Sequence, residues 1–393
     1  MKCLPVLLFL FLTFPLRAQF AQGEWKTDTS KRSIQLSELL RGGPPKDGIP
    51  SIDKPRFLPA ASVDWLAPKE LVIAFTSAGQ SRAYPLQILM WHELVNDIAG
   101  EQPILVSYCP LCNSALVFDR SVSGATLDFG VSGMLRNSDM VMYDRQTDSL
   151  WQQITGDALV GHHTGATLRI LPSQMIPFDQ FQHSYPNGLV LSRDTGFQRD
   201  YGRNPYTGYE FGKGPIMPVR SSRPTALRPM DKLVVVKNGN GYRAWPVSQL
   251  ARNGVIEDKL DGQPIVLLYS ADGLSPVDAA RMSQSRAIGS IGVFRAEDPS
   301  GRIRFRRASN RIEDRQTGSV WNITGLAIDG PHKGKSLQPV EHGVFFTFAW
   351  LAFQPDIVIA GEPPAHVRRP LRELPGCVLP AARAPARAGG GHL

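Results

Sequence analysis

The sequence predicts an α+β fold, mainly β, made of two tandem degenerate repeats that each contain short antiparallel strands and one or two helices. The first observation is that segments recur along the 393-residue chain, since residues 83–86 match 244–247 and residues 144–151 match 314–321. The second observation is that the apolar runs are short and are separated by turn-forming residues. Two copies of one mainly β unit therefore make up the predicted fold.

The elements of the first repeat follow from local patterns. Residues 71–75 and 82–84 flank a Ser-Ala-Gly turn and predict a hairpin. The spacing of Trp91, Leu94 and Ile98 predicts a helix over residues 86–98. Further strands are predicted over residues 104–108, 115–119, 126–130, 140–145 and 149–153, followed by a helix over 176–183 and a strand over 189–191.

The chain divides into five predicted parts. Residues 1–18 are typical of a secretory signal peptide, because a basic head precedes a short apolar run that ends near a small residue. We therefore expect a periplasmic or secreted protein. The other parts are the first repeat (30–192), a bridging segment rich in Gly, Pro, Tyr and Arg (193–229), the second repeat (230–370) and a tail (371–393) whose composition predicts disorder.

Composition and charge exclude two classes of partner. The formal net charge is +8, but much of the excess lies in the predicted signal peptide and the tail. The chain has no basic stripe interleaved with aromatic residues, so we do not expect nucleic-acid binding. Beyond the signal peptide no segment carries the roughly 20 apolar residues of a membrane-spanning helix, so no integral membrane segment is predicted.

A Cys-x-x-Cys pair marks the candidate site. Cys109 and Cys112 follow an apolar strand pattern, and Cys377 is the other cysteine outside the predicted signal peptide. Three cysteines are too few for a disulfide-stabilised scaffold. Three uses of the pair remain open: a local structural disulfide, thiol–disulfide exchange with Cys109 and Cys112 as the catalytic thiols, or metal binding.

The second copy serves as an internal control. Residues kept in both copies, such as Asp144, Arg145 and Trp151, are expected to support the scaffold, with the Asp–Arg pair forming an ion pair beside the ring. Residues found only in the first copy are better functional candidates. The pairs that differ are Cys109 and Ser270, Cys112 and Gly273, His92 and Asn253, Glu93 and Gly254, and Asn96 and Glu257.

These differences favour a metal site with Cys109, Cys112 and His92 as ligands. Soft sulfur ligands with an imidazole favour copper or zinc, and the methionines at positions 90, 134, 140 and 142 place copper before zinc. Around the ligands, Glu93 and Asn96 are predicted to orient His92, and Arg136 and Asn137 to line the site.

Several motifs together resemble a large bacterial and archaeal family known as a domain of unknown function. The resemblance covers about residues 47–361 and implies a shared fold and a shared first-copy site, but it implies no activity. The motifs are residues 47–57, 83–85, 91–97 (Trp-His-Glu-Leu-Val-Asn-Asp), 108–114 (Tyr-Cys-Pro-Leu-Cys-Asn-Ser), 132–138, 142–147 (Met-Tyr-Asp-Arg-Gln-Thr) and 150–153.

We therefore expect an exported protein whose Cys/His site binds copper or zinc for metal handling or a metal-dependent oxidation. One alternative is a thiol–disulfide oxidoreductase that uses the Cys-Pro-Leu-Cys pair. The other is a non-catalytic binding module with a structural disulfide. The partner would be a small molecule or a protein thiol, and whether the protein is an enzyme stays open at this point.

Overall fold

A computed structural model describes residues 25–362, apart from residues 221–222, 240, 300 and 310. The predicted signal peptide and the predicted disordered tail lie outside the described residues. Within this range the fold is α+β and mainly β, as the sequence predicts, and its strands form several small antiparallel sheets. No helix of the described part is long and apolar enough to cross a membrane.

Residues 25–192, the described part up to the end of the first copy, contain sixteen strands and two α-helices. In chain order these are β1 (Leu40–Arg41), β2 (Phe57–Pro59), β3 (Leu71–Ser77), β4 (Gln80–Pro85), α1 (Leu86–His92), β5 (Leu94–Ala99), β6 (Gln102–Cys109), β7 (Ser114–Asp119), β8 (Ser121–Val122), β9 (Ala125–Thr126), β10 (Phe129–Arg136), β11 (Asp139–Asp144), β12 (Leu150–Gln152), β13 (Ala158–Val160), β14 (Arg169–Leu171), β15 (Ser173–Pro177), α2 (Phe178–Ser184) and β16 (Leu189–Leu191).

The second copy repeats this order after the bridging segment. Its elements are β17 (Lys232–Asn238), β18 (Gly241–Pro246), α3 (Val247–Asn253), β19 (Val255–Leu260), β20 (Gln263–Ser270), β21 (Ser290–Arg295), β22 (Glu297–Asp298), β23 (Gly301–Arg302), β24 (Phe305–Ala308), β25 (Arg311–Asp314), β26 (Val320–Trp321), β27 (Ala327–Asp329), β28 (His342–Phe346), α4 (Thr347–Phe353) and β29 (Val358–Ile359).

The sheets of the two copies share one topology. In the first copy the strand order is β15-β3-β4-β16-β2, and in the second it is β28-β17-β18-β29. In both, a central hairpin is flanked by one antiparallel strand and one parallel strand, β16 beside β4 and β29 beside β18. The largest hydrophobic core includes residues from both copies, so the copies pack into one body.

The first helix is shorter than predicted. It ends at His92, and residues 94–99 form strand β5 against β6 instead of continuing the helix. Residues 94–97 are all buried, because the strand is covered on both sides. The apolar residues of such a strand can also match the spacing of a helix face, so the pattern alone does not distinguish the two structures. Glu93, with a φ of 58°, makes the break between the two elements.

A hydrogen-bond network anchors the same hairpin in both copies. The indole Nε1 of Trp151 donates to Asp144 Oδ2 at 2.9 Å, and that of Trp321 donates to Asp314 Oδ2 at 3.0 Å. The expected ion pair with the adjacent arginine does not form in the first copy, because Arg145 pairs with Asp47 at 3.1 Å. The shared residues thus hold the scaffold through buried hydrogen bonds.

The two copies differ in the connection that follows β6 in the first copy and β20 in the second. In the first copy a short turn, residues 110–113, joins β6 to β7, and Cys109 pairs with Ser114. In the second copy Ser270 pairs with Ser290, and residues 271–289 form a long excursion between β20 and β21. The turn that carries the thiols is therefore replaced, and not only mutated, in the second copy.

The matched networks give a stability prediction. Trp151→Phe and Trp321→Phe each remove one N–H donor from a fully buried carboxylate, so each is expected to lower the free energy of unfolding by about 1 to 3 kcal/mol. Urea unfolding of both variants measures this. A loss confined to Trp151→Phe would contradict a shared scaffold role.

Candidate functional site

The Cys-x-x-Cys turn brings both thiols into the protein interior. Cys109 is the last residue of β6, and Cys112 N donates to Cys109 O at 3.2 Å across the turn. Asn113 adopts a left-handed backbone, with a φ of 54°, and leads into β7. Cys109 is 2% exposed and Cys112 is 0% exposed, and neither forms a disulfide in the structure.

A carboxylate from a neighbouring hairpin completes the group. Asn137 and Ser138 both have left-handed backbones, with φ values of 51° and 65°, and form the tight turn between β10 and β11. Asp139 follows this turn at the start of β11. One oxygen of its carboxylate and the sulfur atoms of Cys109 and Cys112 all lie within 4.8 Å of one another.

One oxygen of Asp139 is fixed and the other is available. Oδ2 accepts hydrogen bonds from Gln152 Nε2 at 2.6 Å and from Ile154 N at 3.0 Å, whereas the buried Oδ1 has no hydrogen-bond partner in the described part of the chain. Arg136 supports this arrangement indirectly, since it donates to Gln152 Oε1 at 3.3 Å and pairs with Glu38. Burial raises the pKa of Asp139 to about 6, against the lowering effect of these hydrogen bonds.

Glu93 adds a second buried carboxylate. Its backbone, with φ 58° and ψ −35°, ends α1, and its N–H donates to Leu89 O at 2.7 Å. Gly254 ends α3 in the second copy with nearly the same angles, φ 74° and ψ −33°. Glutamate in a conformation suited to glycine costs on the order of 1 to 3 kcal/mol. This cost makes Glu93 a functional candidate.

The environment of Glu93 favours its neutral form. Its side chain accepts no hydrogen bond and forms no ion pair among the described residues. Burial, and then the neighbouring Asp139 carboxylate, raise the pKa of Glu93 to about 8. Glu93 also lies beside the thiol-bearing strand, because Tyr108 N donates to Glu93 O at 2.8 Å and Cys109 follows Tyr108. Two thiols and the Asp139 carboxylate thus form the group within 4.8 Å, and Glu93 is a second buried carboxylate next to it.

Burial also raises the pKa of both thiols. For Cys109 the loss of water is the largest cause, and for Cys112 burial and then Cys109 raise the pKa well above its usual value. Neither Asp139 nor Glu93 forms an ion pair with any described residue. Four acidic groups are therefore buried together without a paired cationic side chain.

Two distant segments hold the Cys-x-x-Cys turn in place. Tyr209, in the bridging segment, donates its hydroxyl to Leu111 O at 3.0 Å. Phe346, at the end of β28 in the second copy, donates its backbone N–H to Cys112 O at 3.0 Å. The second copy and the bridging segment therefore fix the position of the thiols.

Several buried polar atoms around this turn lack a hydrogen-bond partner in the described part of the chain. They are Tyr108 Oη, Asn113 Oδ1, Ser114 Oγ, Asp139 Oδ1 and Gln153 Oε1. Buried polar atoms without partners are uncommon, and each requires an explanation such as a bound ion, ligand or water. Five such atoms of the described residues thus belong to this turn and to the residues around it.

The structure does not group His92 with the thiols. Its Nδ1 lies 2.7 Å from Pro50 O, and its Nε2 lies 2.7 Å from the hydroxyl of Tyr201. Both ring nitrogens are thus engaged by other segments, because α1 ends at His92 and the following residue turns the chain. Asp139, and not His92, joins both thiols within 4.8 Å in the described part of the chain, and a ligand role for His92 stays a prediction.

Asn96, Asn137 and the four methionines, which were also predicted to belong to the site, have structural contacts in the described part of the chain. Asn96 ties β5 to β10 through hydrogen bonds with the backbone of Phe129, so it does not orient His92. Asn137 accepts a hydrogen bond from Arg220 N at 2.9 Å and so fixes the bridging segment beside Asp139. The four methionines that favoured copper, Met90, Met134, Met140 and Met142, are buried in hydrophobic clusters.

Asp139 was missed from the sequence, although a signal was present. It matches Ser309 when the Asp144 and Asp314 segments are superposed, so it satisfies the same first-copy criterion as the cysteines. It lies 27 positions after Cys112, and only the pairing of β10 with β11 shows that it faces the turn.

Fold and site together define a duplicated, mainly β protein with a buried dithiol–carboxylate centre in its first copy. The family described as "Protein of unknown function (DUF3179)" matches residues 46–357, and the chain belongs to that family. Neither the curated proteins nor the solved structures contain a significant match.

Glu93 gives a pH prediction for the metal-free protein. Because folding raises its pKa from 4.5 to about 8, the folded state binds a proton more tightly than the unfolded chain. The corresponding stability is present below pH 4.5 and is lost as the pH rises towards 8. Thermal unfolding between pH 4.5 and 8.5 should show this decline, and Glu93→Gln should reduce it.

The control is Glu101→Gln, which changes an exposed glutamate in the turn between β5 and β6. This variant should keep the pH dependence of the wild type. The pH effect would not belong to Glu93 if Glu93→Gln and Glu101→Gln gave the same curve.

Proposed function

We propose that this is an exported metal-binding protein whose first copy coordinates one ion through Cys109, Cys112 and Asp139. The observation that carries the proposal is the approach of two thiols and a partly unpartnered carboxylate to within 4.8 Å inside the core. Separations of this size allow all three groups to reach one ion after small side-chain movements.

The charge balance of the site supports a cation. Thiols and carboxylates buried without an ion pair lose their hydration, so they stay protonated unless a positive charge enters. A bound divalent ion would supply that charge and would favour the deprotonated ligands. It would also give Asp139 Oδ1 the partner that it lacks in the described structure.

The donor set favours zinc over copper. Zinc accepts cysteine sulfur together with aspartate oxygen, whereas Cu(I) prefers thiolates and thioethers. A carboxylate oxygen is a harder ligand, in the sense of hard and soft metal ligands, than the expected imidazole nitrogen. The methionines, which would favour copper, lie in hydrophobic clusters. We therefore place zinc first and copper second, which reverses the order expected from the sequence.

The role of such a centre is metal handling or a metal-dependent reaction. Three protein ligands leave a further coordination position, as in catalytic zinc sites. The Asp139 carboxylate raises the pKa of Glu93, and Glu93 either orients a ligand or accepts a proton. Export rests on residues 1–18 alone, with Lys2 before the apolar run.

Metal analysis tests the proposal. Protein purified under reducing conditions and loaded with Zn(II) or Cu(I) is expected to hold one equivalent. Cys112→Ser and Asp139→Asn should each weaken binding by about tenfold or more, because each removes a ligand. His92→Asn, which installs the residue of the second copy, is the matched control and should keep the metal. Wild-type protein without stoichiometric metal would refute the proposal.

Dithiol exchange is a second candidate, favoured by the position of Asp139. In such an exchange Cys109 and Cys112 are oxidised to a disulfide while a substrate disulfide is reduced to two thiols. A carboxylate with a pKa of about 6 beside the two thiols can accept a thiol proton during this reaction. Burial and the raised pKa of both thiols oppose rapid exchange.

A redox titration against glutathione separates the two candidates. For a metal centre we expect Cys109 and Cys112 to exchange slowly or not at all, because both thiols are buried. A reversible two-electron transition that Asp139→Asn slows, measured by mass spectrometry after alkylation, would favour dithiol exchange.

A further inference from the structure

The buried thiols require a route by which a reactant or ion reaches them. A basin of about 660 Å³ opens on the protein surface close to the Cys-x-x-Cys turn. Its walls come from the bridging segment, from the residues before β17, from the start of α3 and from the excursion of the second copy. The lining residues used below are Glu210, Lys213, Arg228, Asp231, Lys232 and Ile288.

A small chamber continues from the basin towards the turn. Chamber and basin share Lys232, Val247 and Ile288 in their walls. The chamber measures about 10 Å³, which is the space of a single water molecule, and Asn113 and Ser290 line it. Asn113 directly follows Cys112, so the chamber ends at the turn that carries the thiols.

Two polar atoms of the chamber lack partners. Asn113 and Ser290 are 1% and 2% exposed, and Asn113 Oδ1 and Ser290 Oγ have no hydrogen-bond partner among the described residues. A water-sized space between such atoms is suited to a water molecule or to the polar end of a ligand. The chamber therefore combines mainly apolar walls with two buried polar residues whose side-chain oxygens have no partner among the described residues.

Contacts place the basin one layer of residues from the thiols. The ammonium of Lys232 lies 5.9 Å from the ring centroid of Phe346, whose N–H binds Cys112 O. Asn113 lines the chamber and directly follows Cys112, and its Nδ2 donates to Val344 O at 2.9 Å. Asn113 is therefore the residue of the chamber wall that adjoins a thiol residue in the chain.

The charges of the basin indicate the sign of its ligand. Lys232 pairs with Glu210 at 2.6 Å, and Arg228 pairs with Asp231 at 2.8 Å. Lys213 has no ion-pair partner within 4.0 Å among the described residues, so one positive charge is left over. A basin with one excess positive charge attracts anions.

We propose that the basin and the chamber form the entrance to the dithiol–carboxylate centre, and that its reactants are small anionic molecules and not protein chains. A chamber the size of one water admits a small reacting group, whereas a protein disulfide cannot follow it to the thiols. The inference rests on the proposed function only in taking Cys109, Cys112 and Asp139 as the functional centre, whether that centre binds a metal or exchanges disulfides.

Thiol alkylation of the reduced, metal-free full chain tests this entrance. Cys3→Ser and Cys377→Ser leave Cys109 and Cys112 as the remaining thiols of the four. Iodoacetamide should alkylate this protein under native conditions, whereas a maleimide attached to a large polyethylene glycol should react only as fast as the chain unfolds. Equal rates for the two reagents, well above that of unfolding, would overturn the proposal.

Two substitutions should move the iodoacetamide rate in opposite directions. Ile288→Trp fills the passage and should slow alkylation by about tenfold or more, whereas Asn113→Ala shortens a side chain of the chamber wall and should speed it. Ile170→Trp, in the wall of a different cavity, is the matched control and should leave the rate unchanged. A wild-type rate in an Ile288→Trp variant with normal thermal unfolding would refute the route.

Iodoacetate reports on the charge of the basin. Lys213→Glu should slow iodoacetate several-fold relative to iodoacetamide, since only the first reagent is an anion. An unchanged ratio would overturn the anionic part of the proposal. Because no metal is present in these measurements, their outcome is independent of whether the centre binds zinc or copper.

Discussion

The burial of two thiols and two carboxylates that form no ion pair with any described residue is the constraint on which the rest of the structure depends. Two thiols and two carboxylates cannot all ionise in the core unless a positive charge joins them. The surrounding protein nevertheless holds them firmly. Gln152 and Arg136 fix one face of Asp139, and Tyr209 and Phe346 hold the thiol turn from the other side.

The degenerate copy contributes to the centre although it has lost the thiols. Its strand β28 binds the carbonyl of Cys112, and its excursion of residues 271–289 supplies the wall of the basin at Ile288. The Asp–Trp networks show that both copies keep the same hairpin scaffold. The first copy thus carries the buried thiols, and the second copy contributes a hydrogen bond to the turn that holds them.

Local sequence patterns were sufficient for the mainly β class, whereas a functional site in the first copy stays a prediction. They failed at the end of α1, where Leu94 and Val95 are compatible with a helix face but belong to a buried strand. His92 was favoured because the second copy lacks it, and the structure engages its two ring nitrogens with Pro50 O and the hydroxyl of Tyr201. Asp139 required knowledge of strand pairing, which no local pattern contains.

The hydrogen bond from Phe346 to Cys112 also sets the order of events during biosynthesis. The thiol turn precedes its support by more than two hundred positions, so a ribosome must make almost the whole chain before the turn can be secured. In the exported protein that we propose, folding would finish only after translocation. The metal would then be chosen from the ions of the destination compartment and not from those of the cytosol.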